Sequence, residues 1–397
     1  MKILAVHNYY QLPGGEDTAY RAEVDLLRRN GHEVRTYERS NSEIRQLSPL
    51  QKAALPVRVT WSIEDYSRLR RLLQAERPDL VHFHNTHMMI SPSAYYACKS
   101  EGIPVIQSLD NPRLLCPAAT FFREGRLCED CLGKTPPWPG VLHACYRGSR
   151  LQTAAVAVML TTHRLLKTWE KQVDEFLVAT KFYREKFIEG GLPANKILVK
   201  PHFVHPDPLP RADRKGDYAL FIGRLEPVKG IDTLLNAWKV LPGVPLKVRG
   251  SGPLLQSVQA AAAENAGIRV IEQLPPDQLT ELIKGARFLI WPSEGNYETF
   301  GFVAAEAFAC GVPVIASNAG VQSEMVEDGE TGLLFVQGNA DDLAAKVSWA
   351  WGHTDEMAAM GRWARTEYER KYSAARAYGL LLDVYTNVID NAMVKSS

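Results

Sequence analysis

The chain has 397 residues, 46% of them hydrophobic and 23% charged, with a formal net charge of +1. That length is about twice the ~100–200 residues of one domain, so two domains are expected. The composition excludes disorder, collagen and coiled coil. No apolar run approaches the ~18–20 residues of a membrane-spanning helix. Met1-Lys2-Ile3-Leu4-Ala5-Val6 reads as a buried strand rather than a secretory signal. Six Cys are too few for a disulfide scaffold. A cytoplasmic protein is expected.

The charge is unevenly spread. Residues 1–200 carry 28 Lys+Arg and 21 Asp+Glu, a balance of +7; residues 201–397 carry 18 and 24, a balance of −6. A basic first half suggests an anionic partner, although charge blocks are often only solvated surface.

In chain order, short β-branched runs alternate with helical stretches. The first half offers Ile3–His7, Glu33–Tyr37, Leu80–His84, Val105–Ser108, Phe176–Ala179 and Ile197–Val199, with a helix over Thr18–Asn30 that stops at Gly31. Four prolines within Pro201–Arg214 mark a boundary. The second half offers Tyr218–Ile222, Leu246–Arg249, Arg269–Glu272, Phe288–Trp291, Val314–Ala316 and Leu333–Phe335. Strands separated by helices predict parallel sheets with right-handed crossovers, hence two doubly wound α/β domains. Asn111–Arg150 has no periodic pattern, and a loop that long implies a function or a staple. Ala377–Met393 reads as a final helix.

The strongest chemical signal runs from Pro292 to Ala316. A strand leads into a glycine-containing loop, then a small-residue helix, then another strand. Such loops, at the carboxyl ends of parallel strands, are where doubly wound sheets bind ligands. Backbone N–H groups around Thr299–Phe302 would open the helix and cradle phosphate. Glu306 interrupts a run of Phe, Val and Ala, where a carboxylate needs hydrogen-bonding partners such as sugar hydroxyls. Gly223-Arg224-Leu225-Glu226-Pro227-Val228-Lys229-Gly230 puts a guanidinium fork and an ammonium after a strand, suited to phosphate oxygens. Arg249-Gly250-Ser251-Gly252 and Pro13-Gly14-Gly15-Glu16 supply glycines for close backbone approach. His82 and His84 invite a metal, but no third ligand is evident, and a polar pocket wall is the simpler expectation.

These residues together resemble the retaining nucleotide-sugar glycosyltransferases of family 4, over essentially the whole chain. The most specific part is the E-x7-E pattern of Glu298 and Glu306 within Glu-Thr-Phe-Gly and Ala-Phe-Ala-Cys-Gly-Val-Pro-Val. The resemblance implies a GT-B fold: two Rossmann-like domains facing a central cleft. It implies an acceptor-side domain over 1–205, a nucleotide-sugar-binding domain over 206–376, and a helix 377–397 that crosses back. It implies a donor of the UDP or GDP type, with Arg224 and Lys229 on the diphosphate and Glu306 on the ribose. Glu298, with Thr299 and the amides of Phe300, Gly301 and Phe302, would hold the transferred sugar. Gly15, Gly223 and Gly250 would lie near the phosphates or base, and Gln273 and Leu274 would border the base. No catalytic metal is expected, because Arg224 and Lys229 supply the charge neutralisation. The acceptor would be a glycan or lipid-linked saccharide, and no nucleic acid is expected as a partner. A nucleotide-sugar epimerase, a phosphorylase and a non-catalytic sugar-nucleotide binder are the alternatives.

Three features fall outside that core. Cys116, Cys128, Cys131 and Cys145 form a C-x11-C-x2-C-x13-C pattern that reads as structural zinc, with free or partly oxidised thiols as the alternative. Arg58, Arg68, Arg70, Arg71 and Arg77 around Ile63–Glu76 suit either a peripheral contact with an anionic membrane or a solvated helix. Asp110 stands where similar enzymes with this cysteine segment usually carry a histidine against the transferred sugar. Asp110 is therefore counted with Arg224, Lys229 and Glu298 among the expected catalytic residues.

Overall fold

The structure is a computed structural model, described for residues 1–11, 14–210, 216–295 and 298–396, without the side chains of residues 395 and 396. Pro13 of the first glycine loop, residues 211–214 of the expected linker, Asn296 and Tyr297 of the Glu298 loop, and Ser397 of the last helix lie outside the described residues.

The chain forms two compact units. Met1–Arg123, Cys128–Pro201 and Tyr378–Ser397 make the first; Glu124–Leu127 and His202–Ala377 make the second.

The first unit holds β1 (Lys2–Tyr9), β2 (Glu33–Ser40), β3 (Leu80–Phe83), β4 (Val105–Ser108), β5 (Glu175–Val178) and β6 (Ile197–Val199). All pair in parallel, in the spatial order β2-β1-β3-β4-β5-β6. Ile3, Leu4, Val6, Leu80, Val81, Phe83, Val105 and Ile106 are all buried, as expected when both faces of a parallel sheet are covered. Helix α1 (Gly15–Arg29) follows β1 and buries Tyr20, Glu23, Val24 and Leu27. Helices α2 (Leu55–Thr60), α3 (Ile63–Glu76), α4 (Trp138–Leu142) and α5 (Arg150–Leu165) follow in sequence. Asn111–Arg150 is thus not structureless: Pro112 opens a 3-10 turn, Pro112–Leu114, and Pro139 sits in the first turn of α4. Proline fixes the backbone angle a helix start needs, and so short a period is invisible to a pattern search.

The second unit repeats the plan with β7 (Ala219–Ile222), β8 (Leu246–Arg249), β9 (Ile268–Ile271), β10 (Phe288–Trp291), β11 (Val314–Ser317) and β12 (Gly332–Phe335). Their order is β9-β8-β7-β10-β11-β12, all parallel. Its helices include α6 (Ile231–Trp238), α7 (Pro276–Lys284) and α8 (Phe302–Ala309). The last helix, α9 (Ala374–Ser396), joins the first unit from Tyr378 onward.

In a doubly wound sheet, ligands bind where the strand order reverses, beyond the carboxyl ends of the strands. The reversal falls between β1 and β3 in the first sheet and between β7 and β10 in the second. The loops leaving those four strands carry most of the residues singled out in the sequence.

Candidate active site

In the second unit, the β7 and β10 loops meet through Lys229 and Glu298. Their side chains form an ion pair, with 16% and 10% of each exposed. Glu298 is held from two further sides. Trp291 Nε1 donates to Oε2 at 3.0 Å, and Ser293 Oγ donates to Oε1 at 2.8 Å. Neighbouring Glu294 accepts from Thr233 Oγ1 on α6, and its amide donates to Val228 O at 2.9 Å. Gly230 makes this junction possible: its φ is +70°, and a Cβ there would lie 1.9 Å from Pro292 O. A larger residue would therefore both strain the backbone and push the loops apart.

The β7 and β8 loops are also stitched together. Gly223 N donates to Arg249 O at 3.1 Å, and Leu225 N donates to Ser251 O at 2.9 Å. A Cβ on Gly250 would meet Gly223 O at 1.9 Å. The glycine at 250 therefore lets two loops approach closely. Arg224 lies beside Glu226, Nη1 to Oε1 3.3 Å, with 56% of its side chain exposed.

Helix α8 begins at Phe302 with Gly301 as its N-cap residue, and Ala305 N already donates to Gly301 O at 3.0 Å. The amides ahead of it open the helix as expected. The Phe300 ring turns inward, against His202, Phe302 and Tyr372, so a ligand would meet its backbone rather than its ring. Glu306 sits one turn further. Burial pushes its carboxyl up to about 7, and the Arg249 charge pulls against that. Glu306 and Leu274 line a groove of about 910 Å³ with Tyr218, Lys247 and residues of α7. Gln273 is exposed, and that groove does not reach Lys229 or Glu298.

The first unit builds a second polar pocket at its own switch point. Gly14 caps α1 and Gly15 is its first residue. Glu16 accepts from Asn111 Nδ2 at 3.0 and 3.1 Å on its two oxygens. Burial, and then the Asp110 carboxylate, push Glu16 up to about 8. Asp110, His84, His87 and Arg113 line the same pocket. Burial holds His87 well below the usual histidine range, with Arg113 and Arg147 adding to it.

Behind this pocket the sequence offered no third partner for His82 and His84. Helix α1 supplies one: Glu23 Oε1 lies 3.0 Å from His82 Nδ1 and 3.5 Å from His84 Nε2. Among the described residues, these three form a set with metal-like spacing. A cation is already present, because Lys200 pairs with the other oxygen of Glu23. Burial opposes ionisation of Glu23, yet Lys200 and His82 outweigh it and hold it well below the usual range. His82 also bonds to Tyr385 OH at 2.7 Å and Ser108 Oγ at 2.9 Å. The cluster is a buried polar core, and the His82–Tyr385 bond ties α9 to β3.

Sequence reasoning missed Glu16, Glu23, Trp291, Ser293 and Arg249. Glu16 had a signal, since it follows the two glycines after β1. Glu23 had none, because a helical Glu is usually a surface residue.

Two Rossmann-like units of parallel strands, each with a glycine loop and carboxylates at its switch point, make a GT-B type of fold. The comparisons agree. Residues 14–202 match the glycosyl transferase 4-like domain, and residues 210–367 match the glycosyl transferases group 1 domain. Together these two glycosyltransferase domain models cover most of the chain, each matching less than half of it. An uncharacterised glycosyltransferase of Methanocaldococcus jannaschii is 31% identical over 55% of this chain and 60% of its own. A D-inositol 3-phosphate glycosyltransferase of Mycolicibacterium smegmatis is 34% identical over 43% of this chain and 40% of its own. The chain therefore spans about half the length of these curated relatives. HepE of Anabaena, solved with UDP, superposes with a TM-score of 0.69 at 16% identity, covering 98% of this chain and 100% of that one. No described helix is long and apolar enough to cross a membrane.

Proposed function

We propose that the chain is a retaining glycosyltransferase that moves a sugar from a UDP- or GDP-type donor to a hydroxyl of a glycan or lipid-linked saccharide. The observation that carries this is the Lys229–Glu298 pair at the switch point of the second sheet. Cleavage of a sugar–diphosphate bond builds negative charge on the leaving diphosphate and positive charge on the sugar ring. Preorganised charges and amides aimed at that developing charge are the largest single source of such rate enhancement. Lys229 and Arg224 take the diphosphate. The amides of Thr299–Phe302 add to them at the start of α8. Glu298, fixed by Trp291 and Ser293, accepts from hydroxyls of the transferred sugar, and Glu306 accepts from the ribose. The acceptor hydroxyl passes its proton to the departing phosphate, so no strong protein base is required. In the first unit, Asp110 accepts from a sugar hydroxyl. The test is nucleoside diphosphate release across a panel of nucleotide sugars with saccharide acceptors. Release with none of them, despite donor binding, would favour a non-catalytic binder.

A bilayer contact is part of this proposal, but its place differs from the arginine stretch singled out in the sequence. Arg58 and Arg68 pair with Glu64, and Arg70 pairs with Glu101. A second unbalanced stretch runs through α4 and α5. Residues 131–169 hold five Lys/Arg and no Asp/Glu. Trp138, Leu142, Leu151, Val158 and Leu165 are exposed there, and Pro136, Trp138, Val141, Leu142 and Val158 line an open apolar groove. Apolar side chains with a basic surround suit the boundary of an anionic bilayer.

A further inference from the structure

We propose that Cys116, Cys128, Cys131 and Cys145 bind one zinc ion as a tetrathiolate, and that this ion fixes the segment bearing Asn111 and Arg113. The four residues span 30 positions with little regular structure, yet all four line one small cavity in the first unit. None is in a disulfide.

The backbone around them turns tightly. Directly after Cys131 the chain turns, Lys134 N donating to Cys131 O at 3.2 Å with Gly133 at φ +70°. Cys116 opens a second turn, in which Ala119 N donates to Cys116 O at 2.8 Å with Ala119 at φ +60°. Cys145 N is fixed by Gly140 O at 3.0 Å. Gly140 N points at a sulfur, 3.2 Å from Cys131 Sγ, and an N–H so aimed supports thiolate charge. A tetrathiolate around a divalent ion carries a net charge of −2. Arg123, which lines the cavity and pairs with Asp130 at 3.1 Å, stands ready to offset it.

Zinc–sulfur bonds of about 2.3 Å in a tetrahedron place sulfurs about 3.8 Å apart. No three of these sulfurs lie within 4.8 Å of one another. Binding therefore contracts the segment, and the four thiols release their protons to solvent as the sulfur–zinc bonds form. The contraction bears on the candidate site. Arg113 donates to Pro117 O at 2.5 Å, next to Cys116, and stacks over Tyr146, next to Cys145. Asn111, which holds Glu16, is two residues from Arg113 and accepts from its amide at 2.9 Å.

The test is elemental analysis and thiol titration of the untagged full-length chain. About one zinc per chain is expected, with the four thiols protected until a mercurial reagent releases the ion in step with their reaction. Cys131→Ser and Cys145→Ser should each lower the zinc content at least about tenfold, while Cys98→Ser should leave it unchanged. The wild-type stoichiometry and thiol count carry the test even where a variant fails to fold. The proposal falls if zinc stays below about a tenth per chain after incubation with zinc chloride and desalting. It falls equally if the intact mass shows the cysteines joined as disulfides.

Discussion

Lys229 and Glu298 stand 69 residues apart in sequence and form an ion pair between the loops leaving two neighbouring parallel strands. In the ligand-free chain each neutralises the other. A donor diphosphate entering there would compete for Lys229 and leave Glu298, still held by Trp291 and Ser293, directed at the sugar.

Lys229→Ala should lower kcat/KM for every accepted donor by about 10–100-fold, since a charged hydrogen bond contributes roughly 1.5–3 kcal/mol. Glu298→Gln, which keeps shape but removes charge, should lower kcat more than it raises KM. Wild-type kinetics in both variants would remove the site assignment.

Glu306 gives the site a pH dependence. Its carboxyl is raised to about 7, so the folded chain binds its proton more tightly than the unfolded chain does. Its contribution to stability is therefore fully present below the ordinary carboxylate range and is lost as pH rises through about 7. Hydroxyl acceptance works the other way, because only the carboxylate accepts on both oxygens. Donor KM should fall as pH rises through that range, and Glu306→Gln should flatten the profile. A profile identical in wild type and variant would show that Glu306 does not meet the donor.

The two parallel sheets were legible because most strands are short buried apolar runs. Val105–Ser108, Leu246–Arg249 and Phe288–Trp291 have the same ends in the structure as in the sequence pattern. Lys229 and Glu298 in the loops, and Glu306 in α8, stand out in the sequence because charge among glycines or alanines after a strand is unusual. The partners do not. Trp291 and Ser293 look like the end of a strand, and Glu23 like any helical surface residue. What distinguishes them is proximity across the chain, which spacing does not carry.

Tyr385 tests how α9 is held to the first unit. Its hydroxyl bonds to His82 in a fully buried cluster, where Glu23 remains as a second partner for the same nitrogen. Tyr385→Phe should cost about 1 kcal/mol, since one hydrogen bond is lost and the ring stays packed. Urea unfolding followed by circular dichroism would measure it. A change within error would mean the hydroxyl contributes nothing to docking.

Vesicle flotation tests the bilayer contact. The chain should float with anionic vesicles at low salt and dissociate as salt screens the basic residues. Trp138→Ser with Leu142→Ser should weaken binding at every salt concentration, because those side chains supply the apolar part. Absence of binding to anionic vesicles at low salt would end the idea.

Asp110 is the proposed site residue whose exchange bears most directly on turnover. It lines the first unit's pocket with His84, His87 and Arg113, and its charge pushes Glu16 upward. A carboxylate accepts hydrogen bonds from a sugar hydroxyl and stabilises positive charge on the ring, but it cannot donate as a protonated histidine does. Its charge would oppose a diphosphate nearby unless a cation such as Arg113 screens it. If Arg224 and Lys229 take the diphosphate as proposed, they supply most of the stabilisation, so the wild-type chain should turn over. Asp110→His should then lower turnover with the native donor and relieve Glu16, whose proton affinity falls once the neighbouring carboxylate is gone. A hundredfold rise in turnover with the same donor would instead mark Asp110 as a handicap and overturn the adapted role.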